Sequence, residues 1–200
     1  MNVQAAYGLL AHGLIFGAIV SLLPLGELRA RAALLATGLA LVAGIAPMMH
    51  GTFGAPSLTL LQLALLQLAS KTPSPFGQRS AIGLFIFGLL FYPTALGLGA
   101  FDPYALGYQP WMLLASLIPI AGALWWRRQN TWLIILAIDL AGYASGLFVN
   151  LWDALFDPLL FILALIISGR SLTLRIIAAR LVGKKNSGLK TGFAGRLTGK

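Results

Sequence analysis

Cysteine is missing altogether, and acidic residues nearly so: Glu27, Asp102, Asp139, Asp153 and Asp157 are the only 5 in 200 residues. Histidine occurs twice, as His12 and His50. Without a thiol there is no disulfide framework, thiolate metal centre, iron–sulfur cluster or cysteine nucleophile, and the redox compartment leaves no trace. Metal binding and general acid–base catalysis both need clustered ligands or titrating groups, which so short a set restricts. No Gly-x-Gly-x-x-Gly, Walker loop, His-Glu-x-x-His or Gly-x-Ser-x-Gly run occurs. The nearest, Gly142-Tyr-Ala-Ser-Gly146, has two residues ahead of its serine where the last motif needs one. No catalytic residue, metal site or cofactor is assigned on these grounds.

Charge of either sign is scarce, at 10% of residues, whereas 58% are hydrophobic and mean hydropathy is +0.87. An ordinary soluble domain has about a quarter of its residues charged. The composition therefore points to lipid as the solvent. The N-terminus has no Lys or Arg ahead of its apolar stretch and no convincing small-x-small site beyond it, so a cleaved signal is not expected.

Apolar runs delimit about seven helical segments, predicted over 5–25, 32–49, 57–70, 81–98, 111–126, 131–151 and 158–167. Residues 154–157 are candidates for the first turn of the last one. Breaks fall at Pro24 and Gly26, at His50-Gly-Thr-Phe-Gly-Ala-Pro56, at Lys71-Thr-Pro-Ser-Pro-Phe-Gly-Gln-Arg79 and at Phe101-Asp-Pro-Tyr-Ala-Leu-Gly-Tyr-Gln-Pro110. At about 1.5 Å per residue, roughly twenty residues cross a hydrocarbon core. Segments 57–70 and 158–167 fall short of that, so three hairpins plus a lead helix is the sturdier description. Pro47, Pro93 and Pro119 lie within or near the ends of segments, where each frees a carbonyl and permits a kink.

The 14 Lys and Arg residues obey one pattern. Arg29 and Arg31 separate segments one and two, Lys71 and Arg79 three and four, Arg127 and Arg128 five and six, and the other eight begin at Arg170. The opposite connections carry Asp102, Asp153 and Asp157 and no cation. The positive-inside rule then predicts an all-α, polytopic transmembrane bundle in a cell inner membrane, N-terminus outside and C-terminus cytoplasmic. Tryptophans 111, 125, 126, 132 and 152 sit at segment ends, as a headgroup belt requires. The bundle spans 1–169. A basic amphipathic juxtamembrane stretch follows over 170–183, suited to anionic headgroups, and a basic cytoplasmic tail over 184–200 is expected to be disordered. Nucleic acid is a disfavoured partner for that tail, and other membrane subunits remain open as partners.

Phe-Asp-Pro occurs twice, at 101–103 and 156–158. Asp as N-cap with Pro at the first helical position explains this better than an internal repeat, because the flanks do not align.

Asp139 is the most informative residue. A carboxylate near mid-bilayer costs at least ~2.5 kcal/mol, so it faces the bundle interior and is protonated or paired. At 100° per residue, Asp139, Gly142, Tyr143, Gly146, Asn150 and Asp153 form one stripe toward the outer surface, which Asp157 extends only if the helix continues. Read functionally, the stripe is a polar track to a titratable group, and His12 in segment one either pairs with Asp139 or lines the same cavity. Read structurally, Gly142-x-x-x-Gly146 is a packing seam, Asp139 is hydrogen-bonded across it, and His12 is bonded to a backbone carbonyl. Thr59, Gln62 and Ser70 share a face suited to interhelical bonds. His50, Asp102, Tyr104, Tyr108, Asp153 and Asp157 are candidates on the outer loops, for a ligand or as caps and interface anchors.

Three functions follow. The leading one is a small-solute or ion transport protein with an outward-facing track through Asp139, His12, Tyr143, Asn150 and Asp153. The second is a non-catalytic accessory subunit of a larger membrane complex. The third is an outer-face enzyme on a lipid-linked substrate, with Asp102, Asp153 or Asp157 as acid or base.

Overall fold

Glycine and proline cut the apolar runs into helices, several of which are capped by a neighbouring side chain. The computed structural model describes residues 2–69 and 76–170. Among these the chain is all helical: α1 (Val3–Val20), α2 (Arg29–Val42), α3 (Ile45–Phe53), α4 (Leu58–Ala69), α5 (Gln78–Ala95), α6 (Trp111–Trp126), α7 (Asn130–Ala144) and α8 (Leu151–Leu155), then α9 (Pro158–Arg170). The basic stretch and tail expected beyond Arg170, like Ser70 and Lys71, lie outside the described residues.

The caps come from short polar side chains. Asn2 Oδ1 accepts from the Ala5 amide at 2.7 Å and starts α1. Ser57 Oγ accepts from the Leu60 amide at 3.2 Å and starts α4. Asp157 Oδ1 does the same for Leu160 at 3.2 Å, with Pro158 opening α9 where its missing N–H is harmless. At the other Phe-Asp-Pro, Asp102 Oδ1 accepts from the Tyr104 amide at 2.9 Å and leads into a 3-10 turn over Tyr104–Gly107. The cap explanation of the repeated tripeptide thus holds at 156–158; at 101–103 Pro103 precedes the 3-10 turn as its N-cap and Asp102 closes a local turn onto Tyr104 instead.

Two expected segments are broken. The run over 32–49 bends by 70° between α2 and α3, at Gly44, whose φ of 81° suits a residue without a Cβ. His50 consequently lies inside α3 rather than in a loop. The run over 131–151 stops at Ala144, because Gly146 takes φ 78° and caps α7. Residues 154–157 do not begin the last helix either; α8 is separate and starts from Asn150, whose Oδ1 accepts from the Trp152 amide at 2.9 Å.

Among the described residues α1 alone is long and apolar enough to cross a membrane as one straight helix, and the α2–α3 pair meets the same measure only as a bent unit. Helices α4, α6, α7 and α9 are apolar but shorter, at 10–17 residues.

Close contact between helices depends on small residues. A Cβ added to Gly17 of α1 would overlap Thr37 and the Ala33 carbonyl of α2. One added to Gly88 of α5 would run into Phe161 of α9. Ile15, Ala18, Leu60, Leu63, Ile135, Leu160 and Ala164 join α1, α4, α7 and α9 in one core, extended by stacked Phe85 and Phe161. A second core gathers Leu58, Leu113, Phe148, Leu151 and Ala154. By contrast α6 fully buries only Leu113.

The connections sort to two ends. Arg29 of the α1–α2 connection donates to the Gln67 carbonyl near the end of α4 at 2.6 Å, and Phe76 before α5 meets Trp132 at the start of α7. At the other end the α3–α4 link, the 3-10 turn after α5 and α8 come together through Ser57–Asp157, Tyr104–Asp153 and Trp152–Pro103 bonds.

Candidate functional site

The start of α4 receives two buried acids, Asp139 and Asp157. Thr59 and Gln62, three residues apart and so on one helical face, both point at α7. There Thr59 Oγ1 donates to Asp139 Oδ2 at 2.6 Å, and Gln62 Nε2 donates to Asp139 Oδ1 at 2.8 Å and to the Ile135 carbonyl at 3.3 Å. Asp139 is 1% exposed. The helices approach because Gly142, one turn on, has no side chain: a Cβ there would overlap Leu58. Gly142 is therefore the seam residue, whereas Gly146 has open space around it and serves as a cap. The two halves of the small-residue motif have unrelated jobs.

Asp139 is not sealed off. It lines a half-open cavity of about 320 Å³ between α4, α5, α6, α7 and α8. On α7 the lining residues are Trp132, Ile135, Leu136 and Asp139, which is one helical face running from the carboxylate toward the start of α7. Phe87, Trp152 and Phe156 supply aromatic wall, Leu113, Leu117 and Ile120 of α6 the aliphatic one. No Lys, Arg or His lines it. A carboxylate has about four acceptor positions, and only two here are taken by protein donors. Gln62 can only donate to Oδ1, so a proton on Asp139 belongs on Oδ2, where the Thr59 hydroxyl can reverse and accept it.

The other expected track residues are elsewhere. Tyr143, Asn150 and Asp153 do not line this cavity. Asn150, 1% exposed, donates through Nδ2 to the Tyr104 carbonyl at 3.1 Å. Asp153 accepts from the Tyr104 hydroxyl at 2.8 Å, and the Tyr104 ring packs edge-on against Tyr108. Burial lifts the Asp153 carboxyl above the ordinary carboxylate range, offset in part by that bond. The Tyr104 phenol is raised as well, first by burial and then by Asp153. Asp157 is 5% exposed and accepts from the Ser57 hydroxyl at 2.8 Å as well as capping α9. Since α7 ends at Ala144, the stripe from Asp139 to Asp153 is not continuous.

His12 does not pair with Asp139. Its Nε2 lies 2.9 Å from the Gly54 carbonyl, and His50 Nδ1 lies 3.1 Å from the same oxygen. A carbonyl only accepts, so both of those nitrogens carry their protons. Tyr7 completes the group by donating to the Pro56 carbonyl at 2.8 Å. These three side chains fasten α1 and α3 to the link that precedes α4. Among the described residues no three His, Asp or Glu side chains converge to hold a metal ion.

Three participants were not singled out from the sequence: Ser57, the Gly54 carbonyl and the aromatic wall of the cavity. Ser57 stands immediately before an apolar helical run, which is a cap signal. The other two have no local signature, because they are made by chain segments far apart. Comparison with protein-family models, curated proteins and solved structures finds no match to this chain.

Proposed function

We propose that this chain is a multi-pass helical membrane protein, N-terminus outside and C-terminus cytoplasmic, that passes a small solute through the cavity at Asp139. Its outward apolar surface supports a lipid environment. Leu34, Val42, Ile118 and Trp126 are 74%, 89%, 72% and 88% exposed, on helices with no polar face to set against water. Shorter helices reach across a bilayer when paired or bent and when the bilayer thins to meet them, and the cation-bearing connections gather at one end. The C-terminal basic stretch then meets anionic headgroups. A cleaved leader fits α1 poorly: it supplies Ile15 and Ala18 to the core, and His12 and Tyr7 to the α3–α4 link.

The observation that carries the transport reading is Asp139 itself. It is a buried carboxylate, held by neutral donors, at the wall of a cavity lined by no cation. An intramembrane acid in that position is a site for proton or solute exchange. The path differs from an outward polar track, since its wall is mostly apolar and leads toward the start of α7. Proteoliposomes loaded with a pH dye and challenged with small cationic, anionic and neutral solutes are the test. Wild type moves protons with at least one solute, and Asp139→Asn removes the response while leaving helix content unchanged. Equal responses in both proteins across the panel would sink the idea.

A second reading, the accessory subunit, draws on α6, which presents Trp111, Trp125 and Trp126 outward at 76% exposure or more. Purification in mild detergent that brings down a stoichiometric partner favours it. The outer-face enzyme has less support, because Asp102, Asp153 and Asp157 are each engaged in a local turn, by a neighbour's hydroxyl or as a cap.

A further inference from the structure

We propose that the Asp139 cavity takes a lipophilic cation: a quaternary or protonated amine, or a phosphonium, carried on an apolar body. The inference rests on the transport reading of the same cavity and names its substrate class. Two features of the wall select that class together. The single ionisable side chain in the lining is an acid, and no Lys, Arg or His there balances it. Phe87, Trp132, Trp152 and Phe156 line the same cavity, and aromatic rings attract cations.

Other classes fit less well. An anion would meet a carboxylate with no compensating donor, a like-charge contact that costs several kcal/mol. A sugar would need many hydrogen-bond partners, yet Thr59, Ser116 and Asp139 are the polar members apart from the Trp152 and Trp132 indoles. The Trp152 indole is already donating to the Pro103 carbonyl at 2.9 Å. A small hydrated metal ion would have one carboxylate and apolar walls where it requires six or more oxygen ligands. A volume of about 320 Å³ is at the lower end of the range for small-molecule sites. A cation of this kind sheds little hydration on entry, gains apolar contact, and balances the charge of Asp139.

The test is binding of labelled tetraphenylphosphonium to the full-length protein in lipid nanodiscs, against tetraphenylborate, an anion of the same size and shape. Saturable binding of the phosphonium and none of the borate is expected. Asp139→Asn keeps the Oδ1 acceptor for Gln62 and should weaken the phosphonium by on the order of 30-fold. Leu117→Trp leaves the acid intact and fills the cavity, and should lose binding as well; it guards against a variant that merely unfolds. Equal binding by wild type and Asp139→Asn, or saturable binding of the borate, overturns the assignment. If the phosphonium does not bind while Asp139-dependent proton movement persists with another solute, the cation class is wrong and the transport reading stands. If it binds with no proton movement for any solute, the site is a cation site and the transport reading falls.

Discussion

Asp139 and Asp157 are both buried acids held by the start of α4, yet they are built for opposite ends. Asp157 receives the Ser57 hydroxyl and the Leu160 amide, and through Ser57 it joins the caps of two helices. Asp139 receives two side-chain donors and opens onto a cavity. The first is a structural rivet whose oxygens are held by donors at the starts of two helices. The second has spare acceptor capacity and a space in which to use it. On the transport reading proposed above, what separates the two is the side of the Asp139 carboxylate that faces a cavity, since both acids are hidden from the surface.

The sharpest way to break that contrast is to remove one hydroxyl from each acid. Ser57→Ala strips a donor from Asp157 and the cap from α4 together, for an expected loss of about 3 kcal/mol in stability. Thr59→Val keeps its shape and removes one donor from Asp139. Water entering the cavity can hydrate the freed oxygen, so the expected loss is about 1 kcal/mol. Equilibrium unfolding in mixed micelles measures both, and equal losses would mean that the cavity does not serve the carboxylate.

A smaller effect separates the glycines beside Asp139. Gly142→Val drives a side chain into Leu58 and should cost about 1–3 kcal/mol by overpacking, with part recovered by adding Leu58→Ala. Gly146→Ala meets no atom and should cost about 1 kcal/mol through its positive φ alone. Recovery of both glycine variants by Leu58→Ala would contradict the division of labour.

The smallest effect is on pH. Burial raises the Asp153 carboxyl in the folded protein, so the folded state holds that proton more tightly than the unfolded one, and stability falls as pH rises through the carboxylate range. Asp153→Asn keeps an acceptor for Tyr104 and removes the slope. The stability of the variant relative to wild type should rise as pH is raised from about 4, the ordinary Asp value, through the carboxylate range. A flat difference over that range would show that Tyr104 cancels the burial.

The residues that could be read in advance share a property. Helix α6 ends where the sequence pattern said, at Trp111 and Trp126, because Pro110 and the Arg127–Arg128 pair mark both borders locally. The Asp157–Pro158 cap of α9 is likewise legible from three residues. The break of α7 at Gly146 was harder, since the apolar run continues through Leu147, Phe148 and Val149 and only the backbone angle reveals the stop. His12 and Asp139 read as interior groups from the sequence, where a backbone carbonyl is the favoured partner of His12 and Asp139 the alternative; the carbonyl of Gly54 is the partner found.

Composition and period alone determined that this chain is helical and apolar, where several of its helices begin, and that Asp139 needs a shelter. Those are local matters, decided by propensity, capping and the cost of an unpaired charge. Only the tertiary structure decided that the shelter is Thr59 and Gln62, that Ser57 meets Asp157 across 100 positions of sequence, and that the open side of Asp139 looks along α7 toward its start. Helical period says which residues share a face. It carries no information about which other face they will meet, and that is settled by how close two helices come, here at a glycine opposite a leucine.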